Sequence, residues 1–178
     1  ELVYDSIGTV RRFCAEVEAD AVKTQMEAER AVFDIDPTLD EPTHAEAARM
    51  YLGIKAYLQS GGLSGYTLHY GECGEDGRFT QLPLLAASNL LADGYGYAAE
   101  GDSTAAVLVA AMQTLCGAAG FTEMYMMDFK REAILMCHQG EGNWRLCRGD
   151  RRPYLKNRVL SEGGLSNPPT PIFTPEPG

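Results

Sequence analysis

Two kinds of apolar segment take turns along this chain. Helix-length stretches with a one-sided apolar stripe alternate with short, nearly continuous apolar runs, up to about residue 129. That alternation leaves few folds open. It predicts a parallel α/β sheet with helices packed on it. In residues 5–29, Ile7, Val10, Cys14, Val17 and Ala21 share one face and predict a helix. DIDPTLDEP then reads as a turn-rich linker. In THAEAARMYLGIKAYLQSGG, Thr43 and Glu46 form a capping box, Met50, Ile54, Tyr57 and Leu58 make the stripe, and Gly61 and Gly62 end it. YTLHY (66–70) predicts a short strand and GECGEDGRF a loop. Pro83 opens a helix that runs to Ala92 and stops at Asp93-Gly94. YGYAA predicts a buried strand; Asp102 or Ser103 then caps an alanine-rich helix to Cys116, ended by Gly117. MYMMDF and AILMCHQ predict strands with Lys130-Arg131-Glu132 between them, and WRLCR a further one. After 129 the helices stop. The expected architecture is therefore a three-layer, doubly wound, mostly parallel α/β domain over 1–129 and a β-rich segment over 130–160. A linker or tail over 161–178 follows, rich in proline and glycine and holding five of the nine prolines.

The chain has 178 residues, enough for one domain with a proper core. Its net charge of −10 argues against a nucleic-acid partner, because neutralising phosphate takes clustered Lys and Arg. The nearest basic cluster, RGDRRPYLKNR, reads as a solvated loop or edge strand. The five cysteines, at 14, 73, 116, 137 and 147, show no CxxC spacing. They read as small core residues in a reducing compartment, so a cytoplasmic location is expected. No apolar run reaches the roughly 18 residues that span a bilayer, and no membrane partner is expected. No signal peptide is evident. A start at Glu1 without methionine reads as a processed or excised piece.

GYAAEGDSTAA (96–106) places two carboxylates, Glu100 and Asp102, among small residues where a buried strand turns into a helix. Open α/β sheets bind ligands at the carboxyl ends of their strands. Glu100 after YGYAA, Asp128 after MYMM, His138 after AILMC, and His69 with Tyr70 at the end of YTLHY all fall at such ends. Carboxylates converging with an imidazole suit a divalent cation of the Mn, Fe, Co or Zn kind. Plainer roles stand beside this. Asp102 reads best as a helix cap. Taken alone, His138 reads as a core histidine and Glu100 as solvent-facing. Met124, Met126, Met127 and Met136 read as core filling. GYGYAAEG is no phosphate loop, since neither GxGxxG before the helix nor GK[ST] occurs.

The run QLPLLAASNLLADGYGYAAEGD (81–102), the alanine-rich helix, MMDF and AILMCHQGEGN together resemble the central region of the L-arabinose isomerases and the L-fucose isomerase-like enzymes. ARMYLGIKAYLQSGGLSGYTLHYGE resembles the segment before it, so the likeness covers roughly 30 to 145. It implies the central domain of such an enzyme plus the start of its C-terminal, β-rich domain. It also implies one bound divalent cation, typically manganese, a sugar substrate, and a homo-oligomer, trimer or hexamer. By position in the motif, Glu100 and Asp128 resemble the acidic ligands and His138 the first histidine ligand. Where arabinose isomerases usually have Glu-Asp, this chain has Met127-Asp128. Tyr70 resembles an aromatic that shapes the sugar pocket. The fourth ligand, a histidine, would lie downstream, so the resemblance implies that this chain alone holds no complete site and is inactive when isolated.

The implied activity is an intramolecular oxidoreduction. An aldose and a ketose interconvert through an ene-diolate, with Glu100 and Asp128 sharing the acid and base work. Two readings compete with it: a sugar-binding α/β module without catalysis, and an inert oligomerisation domain of a larger enzyme. A different metal-dependent hydrolase has no motif behind it.

Overall fold

The computed structural model describes residues 1–74, 78–159 and 165–176. Part of the loop expected after Tyr70 and part of the expected tail lie outside the described residues. Where the first stripe predicts one helix there are two, α1 (Ile7–Ala15) and α2 (Ala19–Val32). The break has a tertiary cause: the Arg49 guanidinium donates to the Val17 carbonyl at 2.7 Å and replaces a helical bond there. A two-residue strand, β1 (Asp34–Ile35), leads to α3 (Glu41–Ser60). This helix starts ahead of the predicted capping box. Asp40 accepts from the Thr43 backbone N–H at 2.9 Å, and the proline that follows sits in the first turn, where no N–H is needed.

Next come β2 (Gly65–Leu68), the single turn α4 (Gly71–Gly74), α5 (Leu84–Ala92), β3 (Gly96–Ala99) and α6 (Ser103–Cys116). Apart from α4, which falls in the stretch read as a loop, these agree with the alternation read from the sequence. Asp102 caps α6 through the Ala105 N–H at 2.8 Å, and Gly117 closes it with a left-handed φ of 79°. β2 and β3 pair in parallel, Gly65 opposite Gly96 through Leu68 opposite Ala99. Both carboxyl ends therefore open on the same side. The main core lies between α1, α3 and α5, where Cys14, Met50, Leu58 and Leu90 are fully buried. Each fully buried side chain of the Leu or Met kind contributes about 1.5–3 kcal/mol.

The last part of the chain is β4 (Glu123–Asp128), β5 (Ala133–Cys137), a 3-10 turn (Trp144–Leu146), β6 (Tyr154–Asn157) and β7 (Pro169–Ile172). The α/β class holds, with parallel pairing of β2 to β3 and of β1 to β6. Among the described residues the strands form two small sheets and a separate hairpin. Three expectations change. The stretch read as strand WRLCR is the 3-10 turn, because the Asn143 side chain caps it at the Arg145 N–H and the Trp144 indole is tied to Asn89. Within the expected tail, β7 pairs antiparallel with β6, and Pro168 and Pro169 are fully buried. An edge strand tolerates such prolines because its outer N–H groups have no partner to serve. Lastly, β4 pairs only with β5, so Met124, Met126, Met127 and Met136 stand half or more exposed instead of filling a core. Among the described residues no helix is long and apolar enough to cross a membrane.

Candidate functional site

The parallel pair β2–β3 builds one wall of a pocket. Its strands pack closely on α6 because Gly96 carries no side chain: a Cβ there would meet the Ala106 carbonyl at 2.4 Å and the Ala110 Cβ at 2.6 Å. Glu100 is the first residue beyond β3. Its backbone lies in the left-handed region at φ 60°, followed by Gly101 at φ 86°. A non-glycine residue held there costs about 1–3 kcal/mol, a strain that concentrates at functional sites. The tight turn aims Glu100 at the pocket, while Asp102 fixes the turn by capping α6.

The pocket has a volume of about 190 Å3 and is lined by Tyr70, Leu82, Tyr97, Glu100, His138 and Glu141 among others. The structure thus brings together Tyr70, Glu100 and His138, three of the four residues singled out in the sequence. Tyr70 is exposed at the rim and stacks on His69, with ring centroids 4.9 Å apart. Asp128 does not line the pocket. Its carboxylate accepts from the backbone N–H groups of Lys130 and Arg131, at 3.0 and 3.1 Å, and pairs with the Arg131 guanidinium at 3.2 Å. It caps the β4–β5 turn, a habitual aspartate role.

The carboxylate beside His138 is Glu123 instead. Its Oε2 lies 3.1 Å from Nδ1 of the imidazole. On the far side, Nε2 of His138 lies 3.4 Å from Oε2 of Glu141 and has no well-aligned hydrogen bond. Glu141 is buried, and the Tyr97 hydroxyl donates to its Oε1. Burial lowers the His138 pKa, but Glu141 and Glu123 outweigh it and hold the imidazole above its ordinary value. Burial likewise raises Glu141, but the neighbouring His138 imidazole and the bond from Tyr97 outweigh that and hold it below the usual range. The Tyr97 and Tyr66 phenols are raised well above theirs, by burial first and then by the charge of Glu141.

The donor chemistry, carboxylates with an imidazole and one strained residue aimed at the pocket, is of the kind that suits a hard or borderline divalent cation. The set is partial, since among the described residues no three His, Cys, Asp or Glu side chains gather closely enough to hold a metal ion.

Comparison with known proteins bears on what such a pocket serves. Residues 2–118 match the family of the L-arabinose isomerase central domain. Residues 118–178 match that of the L-arabinose isomerase C-terminal domain. This chain belongs to the L-arabinose isomerase family. Relatives named L-arabinose isomerase include one from Geobacillus thermodenitrificans, 32% identical over 94% of this chain and 34% of the relative. One from Clostridium beijerinckii is 28% identical over 96% of this chain and 35% of the relative. The chain spans about a third of the length of these curated relatives. In this member of the L-arabinose isomerase family the two matched regions meet at residue 118, ahead of the change of architecture read at 129. The pocket lies on that seam: Tyr70, Tyr97 and Glu100 come from the first region, His138 and Glu141 from the second.

Glu123, Tyr97 and Glu141 escaped the sequence reading. The signal for Glu141 is its place three residues after His138. The signal for Glu123 is hairpin register, which sets it opposite Cys137, next to His138.

Proposed function

We propose that this chain is the central portion, with the start of the C-terminal portion, of a divalent-cation-dependent aldose–ketose isomerase acting on a sugar of the L-arabinose class. The observation that carries the reading is a pocket at the seam of two L-arabinose isomerase regions, lined by Glu100, His138 and Tyr70. Glu100, Glu123 and His138 are this chain's share of the ligands for manganese or a similar cation. The remaining ligand and pocket walls come from the rest of the protein, so the isolated chain is inactive. The cation, when bound, neutralises charge that develops on the sugar's first two oxygens. Tyr70 offers an aromatic edge to the sugar. One of the carboxylates Glu100 and Glu123 takes the proton from C2 of the open-chain aldose and it is returned at C1 through an ene-diolate, while the O2 hydroxyl proton passes to O1, so that C2 becomes the carbonyl and C1 the alcohol. The apolar side chains left exposed on α6 and the hairpin, among them Leu108, Leu115 and Leu135, support assembly into a homo-oligomer. A cytoplasmic location is part of the same proposal.

The test is a manganese titration followed by electron paramagnetic resonance, on this chain and on the longer protein that contains it. Glu100→Gln, Glu123→Gln and His138→Ala should each weaken binding. In the longer protein they should also abolish conversion of L-arabinose to its ketose. Full binding in all three variants would remove the site assignment.

A further inference from the structure

We propose that Glu141 is the positioning residue for His138: it holds the imidazole at Nε2, leaves Nδ1 toward Glu123, and is itself held by Tyr97. The inference rests on the reading of His138 as a cation ligand.

The two carboxylates flanking His138 are not equivalent. The Glu141 side chain is 5% exposed, that of Glu123 41%. A buried carboxylate is tolerated only while its donors stay in place. Glu141 has one donor in the Tyr97 hydroxyl at Oε1, and Nε2 of His138, 3.4 Å from Oε2, is the ring nitrogen that faces it. If Nε2 gave up its hydrogen to face a cation, Oε2 would be left facing a bare ring nitrogen in a buried site. Glu123 can turn to solvent or to a ligand at little cost, so the nitrogen free to coordinate is Nδ1.

The backbone that carries Glu141 is pinned on its C-terminal side. The Gly142 N–H donates to the Ser88 hydroxyl at 3.1 Å, and the Asn143 side-chain amide donates to the Ala119 carbonyl at 2.8 Å. The Trp144 indole donates to Asn89 at 3.0 Å. Phe121 packs edge-on against the imidazole, with centroids 5.0 Å apart and an interplanar angle of 73°, and limits its rotation. A histidine ligand whose second nitrogen donates to a fixed carboxylate is the usual way of setting its tautomer and aim.

The test reads the imidazole directly, in the chain without added metal. Histidine labelled with 15N gives three ring systems, and the His138→Ala spectrum identifies the one of interest. The Nε2–H of His138 should appear as a hydrogen-bonded, slowly exchanging signal. Glu141→Gln keeps an acceptor oxygen and should keep the signal. Glu141→Ala should lose it or speed its exchange by about tenfold or more, as for a lost bond to a charged group. A ring hydrogen on Nδ1 instead, or a signal indifferent to Glu141→Ala, overturns the proposal. Should Glu141→Ala not fold, Tyr97→Phe decides by the same rate, since it frees Glu141 without removing it: faster exchange is expected, and an unchanged rate counts against the relay.

Manganese titrations of the same samples separate this inference from the reading beneath it. If the parent binds manganese, Glu141→Ala should weaken binding by about 10–100-fold and Glu141→Gln much less. Manganese binding without the Nε2–H signal would sink the positioning role alone. The signal without any manganese binding, in the chain and in the longer protein, would sink the cation reading and leave the Glu141–His138 contact standing.

Discussion

At the scale of single residues, two carboxylates near the hairpin divide the work by geometry, not by type. Asp128 closes a strand, as a ligand at a strand end should, yet its Oδ1 is taken by the Lys130 and Arg131 N–H groups and its Oδ2 by the Arg131 guanidinium. We therefore expect Asp128→Ala to leave manganese binding within error of the parent chain and to lower stability by about 1 kcal/mol, read by urea denaturation. A manganese affinity that falls as far as in Glu123→Gln would reverse the two assignments. The cysteines sort by the same logic. Burial pushes the Cys14 thiol up to about 12 and the Cys73 thiol up to about 11, whereas Cys116 is exposed. Only a thiolate reacts readily with a thiol reagent. Labelling of the native chain at neutral pH, mapped by mass spectrometry, should mark Cys116 first and spare Cys14 and Cys73 until the chain unfolds.

At the scale of elements, the site depends on how tightly β3 can lie on α6. Gly96 permits that approach, and a methyl group there would press on the Ala106 carbonyl and the Ala110 side chain. Gly96→Ala should cost about 1–3 kcal/mol, the usual range for overpacking. Because β3 runs directly into Glu100, it should also weaken manganese binding in whatever fraction stays folded. A fully stable variant would mean that the two elements separate more easily than this packing allows. The β4–β5 hairpin is the opposite case. It is held by its own pairing, and its apolar side chains meet solvent on both faces.

At the scale of the whole molecule, the end of the chain is stitched back onto its beginning. β6 lies parallel to β1, and Arg152 just before it closes the C-terminal end of α2. The guanidinium donates to the carbonyls of Arg30, Ala31, Val32 and Phe33 at 2.9–3.1 Å and lies 3.3 Å from the Asp34 carboxylate. Those carbonyls are ones a helix end leaves without partners. Arg152→Ala should lower stability by about 1–2 kcal/mol, discounted for exposure, and Arg152→Lys should recover little, since an ammonium cannot fork across several acceptors. Equal denaturation midpoints for Arg152→Ala and the parent would show that water serves those carbonyls as well. The sequence by itself determined the alternation of the longer helices and strands from α3 to α6, the Asp102 cap, and Tyr70, Glu100 and His138 as residues at strand ends. Those features rest on apolar period, capping chemistry and turn residues, which act within a few positions of the chain. Tertiary structure alone decided that Glu123 and not Asp128 stands beside His138, that Tyr97 and Glu141 lie behind it, and that a proline-rich segment becomes β7. Each of these depends on a partner far along the chain. The hairpin register slips near Tyr125, α5 grips residues 142–144, and β7 joins its sheet through β6, which pairs on its other side with β1. Such pairings are selected by burial and by the need to satisfy backbone groups, which local sequence does not encode.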